Sequence, residues 1–176
     1  EHVIRKPFVN TMSRFAGLAS VAAASDVSGG VVNIDWQDCG DASTHGKVTD
    51  LQPTSFTIGD DFTMTGTGTS DIDIKDGSFK IHLEAAGIIK KDFTGEICEG
   101  KVFKLPLGLG TVSWGGMTCP VSAGEMSVPI GLKLASSVPA ALANGKVSAT
   151  GSTAGGDALL CVNAQLHKQE FGSFQV

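Results

Sequence analysis

From Val31 onward the chain alternates. Short runs place apolar side chains at every second residue, and Gly, Asp, Ser or Pro separate one run from the next. A period of two marks a strand with one buried face and one wet face. In "GSFKIHLEAAG", Phe79, Ile81, Leu83 and Ala85 share one side, and Ser78, Lys80, His82 and Glu84 share the other. In "DDFTMTGTGTS", Phe62 and Met64 oppose Thr63, Thr65, Thr67 and Thr69. "GEMSVPIGLKLA" turns Met126, Val128, Ile130, Leu132 and Leu134 inward. Pro129 has no N–H to give to a ladder, which predicts a sheet edge or a bulge there. "DALLCVNAQLHK" sets Leu160, Val162, Ala164 and Leu166 against Cys161, Asn163 and Gln165, and "VNIDWQDCG" sets Val32, Ile34 and Trp36 against Asn33 and Asp35. "GKVSATGS" reads as a strand paired with the last one through the turn around Gly155–Gly156. "KVTDLQPTSFTI" completes the set, broken at Pro53. About seven short strands with regular turn signals predict an all-β, immunoglobulin-like antiparallel sandwich.

Residues 1–30 have a different character. Arg5, Lys6 and Arg14 accompany the small-residue run "FAGLASVAAAS", and Met12, Phe15, Leu18 and Ala22 fall near helical spacing. A short helical extension is expected, stopped near Gly29–Gly30. Three roles stay open for it: a targeting remnant, because a basic flank before a short apolar run also marks a leader; a helix lying on its own domain; or an element docking on a membrane or protein complex. The expected organisation is an extension over 1–30, a sandwich over 31–168 and a tail over 169–176.

Charge narrows the partners. The formal net charge is −5, and the 13 basic residues are scattered rather than gathered on one run. Nucleic acid needs several cations on one face, so it is excluded as an expected partner. Cys39, Cys98, Cys119 and Cys161 are widely spaced, and no pair has the C-x-x-C spacing of zinc or thioredoxin-type sites. Two disulfides in an oxidising compartment fit this set, with four buried free thiols in the cytosol as the alternative. Spacing alone selects none of the three connectivities that four cysteines allow.

Catalytic and cofactor motifs are missing. "GTVSWGG" lacks the spacing of a nucleophile elbow, and "GTGTSD" and "GLGTVSWG" lack the third glycine and the βαβ setting of a nucleotide loop. "DIDIKDG" hints at calcium, but Asp76 stands where an EF-hand loop needs glycine, so it reads as a solvated acidic turn. His82 lies among outward polar residues. No catalytic residue, metal ligand or cofactor is expected, and a lipid hydrolase would need a Ser–His–carboxylate cluster that no motif supplies.

Three stretches together resemble the ML (MD-2-related lipid-recognition) domain family, which includes Niemann-Pick C-type sterol carriers, the ganglioside activator and phospholipid transfer proteins. They are "DWQDCG" at the first strand, "TCPVSAGEMSVPIGLKL" at 118–134 and "DALLCVNAQL" at 157–166. The resemblance covers roughly Val31 to Lys168. It implies the pairs Cys39–Cys161 and Cys98–Cys119. It also implies a sandwich whose sheets splay apart to take up lipid tails without covalent chemistry. The third bridge common in the family is absent here. The segment from Cys98 to Cys119 is long and greasy, with Phe103, Leu105, Leu107, Leu109, Val112 and Trp114. It is expected to form a lip or lid of the cavity, or a membrane or partner surface.

The resemblance carries no ligand motif, so the candidate lipid contacts rest on strand alternation. They are Phe62, Met64, Phe79, Ile81, Leu83, Phe103, Leu105, Trp114, Val128, Ile130, Leu132, Val147 and Val162, with Trp114 expected at the mouth and Trp36 behind the first strand. The implied function is non-enzymatic binding or transfer of sterol, phospholipid or glycolipid in a secreted or luminal compartment, such as the endolysosomal one. The rival is an accessory subunit of a larger assembly, docked through residues 1–30.

Overall fold

The computed structural model describes residues 30–169. The helix expected within 1–30 and the tail beyond Gln169 lie outside the described residues. Eleven strands follow in chain order: β1 Val31–Asp38, β2 Gly46–Gln52, β3 Ser55–Thr57, β4 Asp61–Ser70, β5 Gly77–Ala85, β6 Ile89–Glu96, β7 Lys101–Lys104, β8 Gly110–Trp114, β9 Gly124–Leu134, β10 Gly145–Thr153 and β11 Ala158–Lys168. They form two antiparallel sheets packed as a sandwich. One has the order β3-β1-β11-β10-β5-β6 and the other β2-β4-β9-β8-β7.

The chain crosses between sheets at both long edges. At one edge the run expected to break at Pro53 does so, and the halves go to different sheets, β2 to one and β3 to the other. Ile34 donates its N–H to the Thr54 carbonyl (2.8 Å), which locks the crossing onto β1. At the other edge residues 97–100 carry the chain from β6 to β7.

Register assigns every loop to one of two ends. Asp38 pairs with Val162, Thr153 with Gly77, and Ser70 with Gly124. The loops 39–45, 71–76, 97–100, 115–123 and 154–157 therefore share an end, and both disulfides sit there. Cys39–Cys161 joins β1 to β11 with Cα atoms 4.9 Å apart, and Cys98–Cys119 joins the β6–β7 crossing to the β8–β9 loop at 5.7 Å. Both pairs are those the resemblance implies. The opposite end holds the β5–β6 turn at 86–88, the 3-10 turns Pro106–Gly108 and Ala140–Ala143, and the turn at 58–60.

The strand count exceeds expectation because the run broken at Pro53 yields two strands and because alternation does not reveal β6, β7 and β8. Lys90, Lys91 and Asp92 interrupt β6, an edge strand whose outer side meets water. The greasy excursion is a hairpin, β7 and β8 around Pro106–Gly108, forming the margin of the second sheet. Gly110 opens β8 at φ +140, where an added Cβ would collide with the Lys133 carbonyl.

Pro129 needs a correction. β9 is the central strand of its sheet, not an edge. Its pairing with β8 runs only over Ile130–Leu134, and Gly115 donates to the Pro129 carbonyl (2.9 Å) as β8 ends. The missing N–H thus falls where the neighbouring strand has run out, so a proline is tolerated in mid-sheet.

Candidate functional site

The inward faces do not meet everywhere. A cavity of about 260 Å³ lies between the sheets. β5, β10 and β11 supply Ile81, Leu83, Val147, Ala149, Leu160, Val162, Ala164 and Leu166 from one side. β4, β8 and β9 supply Met64, Val112, Met126, Val128, Ile130, Leu132 and Leu134 from the other. Among the described residues no charged side chain lines it, and Thr67 and Ser127 bring the only side-chain hydroxyls. For scale, a dry apolar cavity of about 150 Å³ accepts a benzene-sized guest. A space this apolar offers water almost no hydrogen bonds, whereas hydrocarbon loses nothing by entering.

Of the residues singled out by alternation, Met64, Ile81, Leu83, Leu105, Trp114, Val128, Ile130, Leu132, Val147 and Val162 line this cavity. Phe62, Phe79 and Phe103 pack beside it. Phe62 stacks on Phe56 with centroids 5.0 Å apart. Phe79 meets Phe103 edge-on at 6.0 Å and Trp114 at 4.9 Å, and Phe103 meets Phe93 at 5.2 Å. This aromatic cluster spans the two sheets along the β6–β7 edge. Trp114 stands in the wall towards the disulfide end, and its indole N–H donates to the Ile97 carbonyl at 3.0 Å. Trp36 packs, half-buried, against the core from β1.

Several lining residues were not singled out. Ala149, Leu160, Ala164 and Leu166 carry the same alternation as Val147 and Val162, so the signal was present. Val138, Leu142 and Ala143 come from the β9–β10 connection, where no period exists to reveal them.

Lys101 clasps the edge near the aromatic cluster. Its Nζ donates to the Thr94 carbonyl of the facing sheet (2.9 Å) and lies 5.3 Å from the Phe103 ring centroid. Lower on the same edge, Lys91 pairs with Leu83 in the β5–β6 ladder and so occupies the cavity-side face, yet it is exposed. An ammonium at an inward position keeps its access to water because β6 is an edge strand.

Charge divides the two ends. Asp41, Asp71, Asp73, Asp76, Glu96, Glu99, Glu125 and Asp157 gather at the disulfide end, against Lys47, Lys75 and Lys101. Lys90, Lys91, Lys104, Lys133, Lys146 and Lys168 gather at the other, against Asp60, Asp61 and Glu84. In the acidic turn, Asp71 bonds His45 Nδ1 (2.9 Å) and Asp73 accepts the Ala123 N–H (2.8 Å). Among the described residues no group of His, Cys, Asp and Glu is arranged to hold a metal ion. On the outer face of β5 and β6, His82 bonds Asp92 at 2.6 Å and Lys80 approaches it at 3.1 Å. The hydrogen bond from His82, then the one from Lys80, hold the Asp92 carboxyl below its ordinary value. Asp41 is lowered likewise, chiefly by hydrogen bonds from Ser43.

A two-sheet sandwich that is cross-linked by two disulfides and encloses an almost wholly apolar chamber defines a class: a binding scaffold for hydrophobic guests. The model of the ML domain matches residues 33–167, and the chain belongs to that family. The fold is similar to that of a Niemann-Pick type C2 protein from the Japanese carpenter ant, at 18% identity and a TM-score of 0.51, covering 77% of this chain and 99% of that one. Chicken MD-1, solved in complex with lipid IVa, matches at 12% identity and a TM-score of 0.45, covering 79% of this chain and 91% of that one. No curated protein sequence matches the chain. Two disulfides in an ML domain are the mark of an extracellular or luminal protein.

Proposed function

We propose that this protein binds lipid tails in the cavity between its sheets and carries them between surfaces, without catalysis. One observation carries the reading: a chamber between the sheets whose walls hold no charged group. Membership of the ML family supports it. Each methylene buried gains about 0.8 kcal/mol, so a tail with ten buried methylenes gains roughly 8 kcal/mol before ordering costs. That suffices to extract a tail from water while leaving a polar head outside. The guest is a sterol, phospholipid or glycolipid, and the setting is a secretory or endolysosomal lumen.

The test is native mass spectrometry of the purified protein, before and after exposure to mixed-lipid vesicles, followed by organic extraction. The expected result is a discrete adduct whose extracted mass is that of a lipid. A protein that keeps its unliganded mass throughout, and does not quench or shift a fluorescent short-chain lipid, overturns the reading.

A further inference from the structure

The end opposite the disulfides bears two apolar side chains that no part of the described fold covers. Ile88, in the β5–β6 turn, is 81% exposed, and Leu107, in the 3-10 turn between β7 and β8, is 82% exposed. They come from different sheets, on the edge where β6 and β7 face each other. Leu107 holds φ +56, a left-handed backbone uncommon for a bulky apolar residue, with Pro106 and Gly108 on either side. An exposed leucine in a strained conformation costs the fold something and returns nothing in packing. Its neighbours Leu105 and Leu109 point the other way, into the cavity wall.

Charge selects the occupant. Lys91 and Lys104 have no ion-pair partner among the described residues, and Lys90 has only Glu84 at 3.4 Å. We propose that this end docks on a lipid bilayer bearing anionic head groups. Ile88 and Leu107 enter the acyl boundary as two separate wedges, while Lys90, Lys91 and Lys104 meet the phosphates and carboxylates around them. The acidic disulfide end is repelled by the same surface, so the molecule is oriented before it touches. The β6–β7 edge at Lys91 then faces the bilayer, and a tail would enter between the sheets there. That last step rests on the cavity being a lipid site; the docking does not.

Sedimentation of the full chain with phosphatidylcholine vesicles, with and without phosphatidylserine, tests the inference. The expected result is binding that requires phosphatidylserine and weakens with added salt. Ile88→Ser and Leu107→Asn should each reduce partitioning about tenfold, and Lys91→Gln and Lys104→Gln about fivefold each. Asparagine tolerates the left-handed backbone, so Leu107→Asn should keep or raise the thermal midpoint, separating docking from folding. Absence of wild-type binding, or binding indifferent to these changes, overturns the inference. So does a concentration-dependent dimer that the same changes abolish, which would make a second copy the occupant. Uptake of a soluble short-chain lipid serves as the companion readout. In the wild-type chain, absent docking with intact uptake overturns this inference alone, whereas absent uptake with intact docking overturns only the cavity reading.

Discussion

The two ends of the sandwich are built to opposite rules. At one, the Cys98–Cys119 bridge, the Phe79–Phe103–Trp114 contacts and the Lys101 clasp tie the sheets together under an acidic surface, and Cys39–Cys161 fastens β1 to β11 within one sheet. At the other, exposed Ile88 and Leu107 stand in turns beside lysines, and no disulfide joins the sheets there. Cohesion and access are thus separated along the strand axis. A fold with a hollow core loses packing energy in the middle. On the proposed function, fastening one end leaves the other as the side from which a guest enters.

The sharpest way to break that contrast is to unfasten the tight end. Replacing Cys39 and Cys161 together by Ser frees a link across 122 residues, and the chain-entropy model puts the loss near 5 kcal/mol. Urea denaturation should show the midpoint collapse or the protein failing to fold. Replacing Cys98 and Cys119 opens a link across 21 residues. The loss should be smaller, about 3 kcal/mol, and the fluorescent-lipid off-rate should rise because the β6–β7 edge loses its staple. A third change leaves both ends alone. Ala149 sits in mid-strand opposite Ile81 and Val162, all three lining the cavity. Ala149→Phe should fill the chamber and lower lipid affinity at least tenfold while the denaturation midpoint holds, a combination that equilibrium binding and urea titration would expose. The smallest effect lies at the waist. Asp92 has its carboxyl value depressed by His82 and Lys80. A depressed value contributes stability that is present above the ordinary carboxylate range and lost as pH falls through the folded value. His82→Ala should move Asp92 back up towards that range in an NMR titration. Stability at neutral pH should hardly change, since the pair is half exposed.

The sequence was most legible where one face of a strand is buried and both neighbours are present. β5, β9 and β11 follow strict alternation, and the inward sets read from it line the cavity wall or its margin. The sequence was least legible at the margins. An edge strand such as β6 tolerates Lys90, Lys91 and Asp92 in succession, which erases the period. In the β7–β8 hairpin, Phe103, Leu105, Leu107 and Leu109 share a parity, yet the turn at Leu107 throws that one side chain outward. Pro129 misled for a related reason. Its local rule concerns one hydrogen bond, and whether that bond has a partner depends on where β8 stops. Neither the width of the gap between the sheets nor the segregation of charge to two ends exists until strand register is known.

The two backbone crossings, at Pro53–Thr54 and at residues 97–100, have a last consequence. Continuous chain spans both long margins of the sandwich, so the girth of the chamber is set by covalent connections that no side-chain substitution can loosen. At the opposite end the β5–β6 and β7–β8 turns each stay within one sheet and are under no such constraint, and doubling the length of one adds only about 0.6 kcal/mol of closure entropy. Descendants of this fold can therefore lengthen their capacity along the axis far more readily than they can widen it.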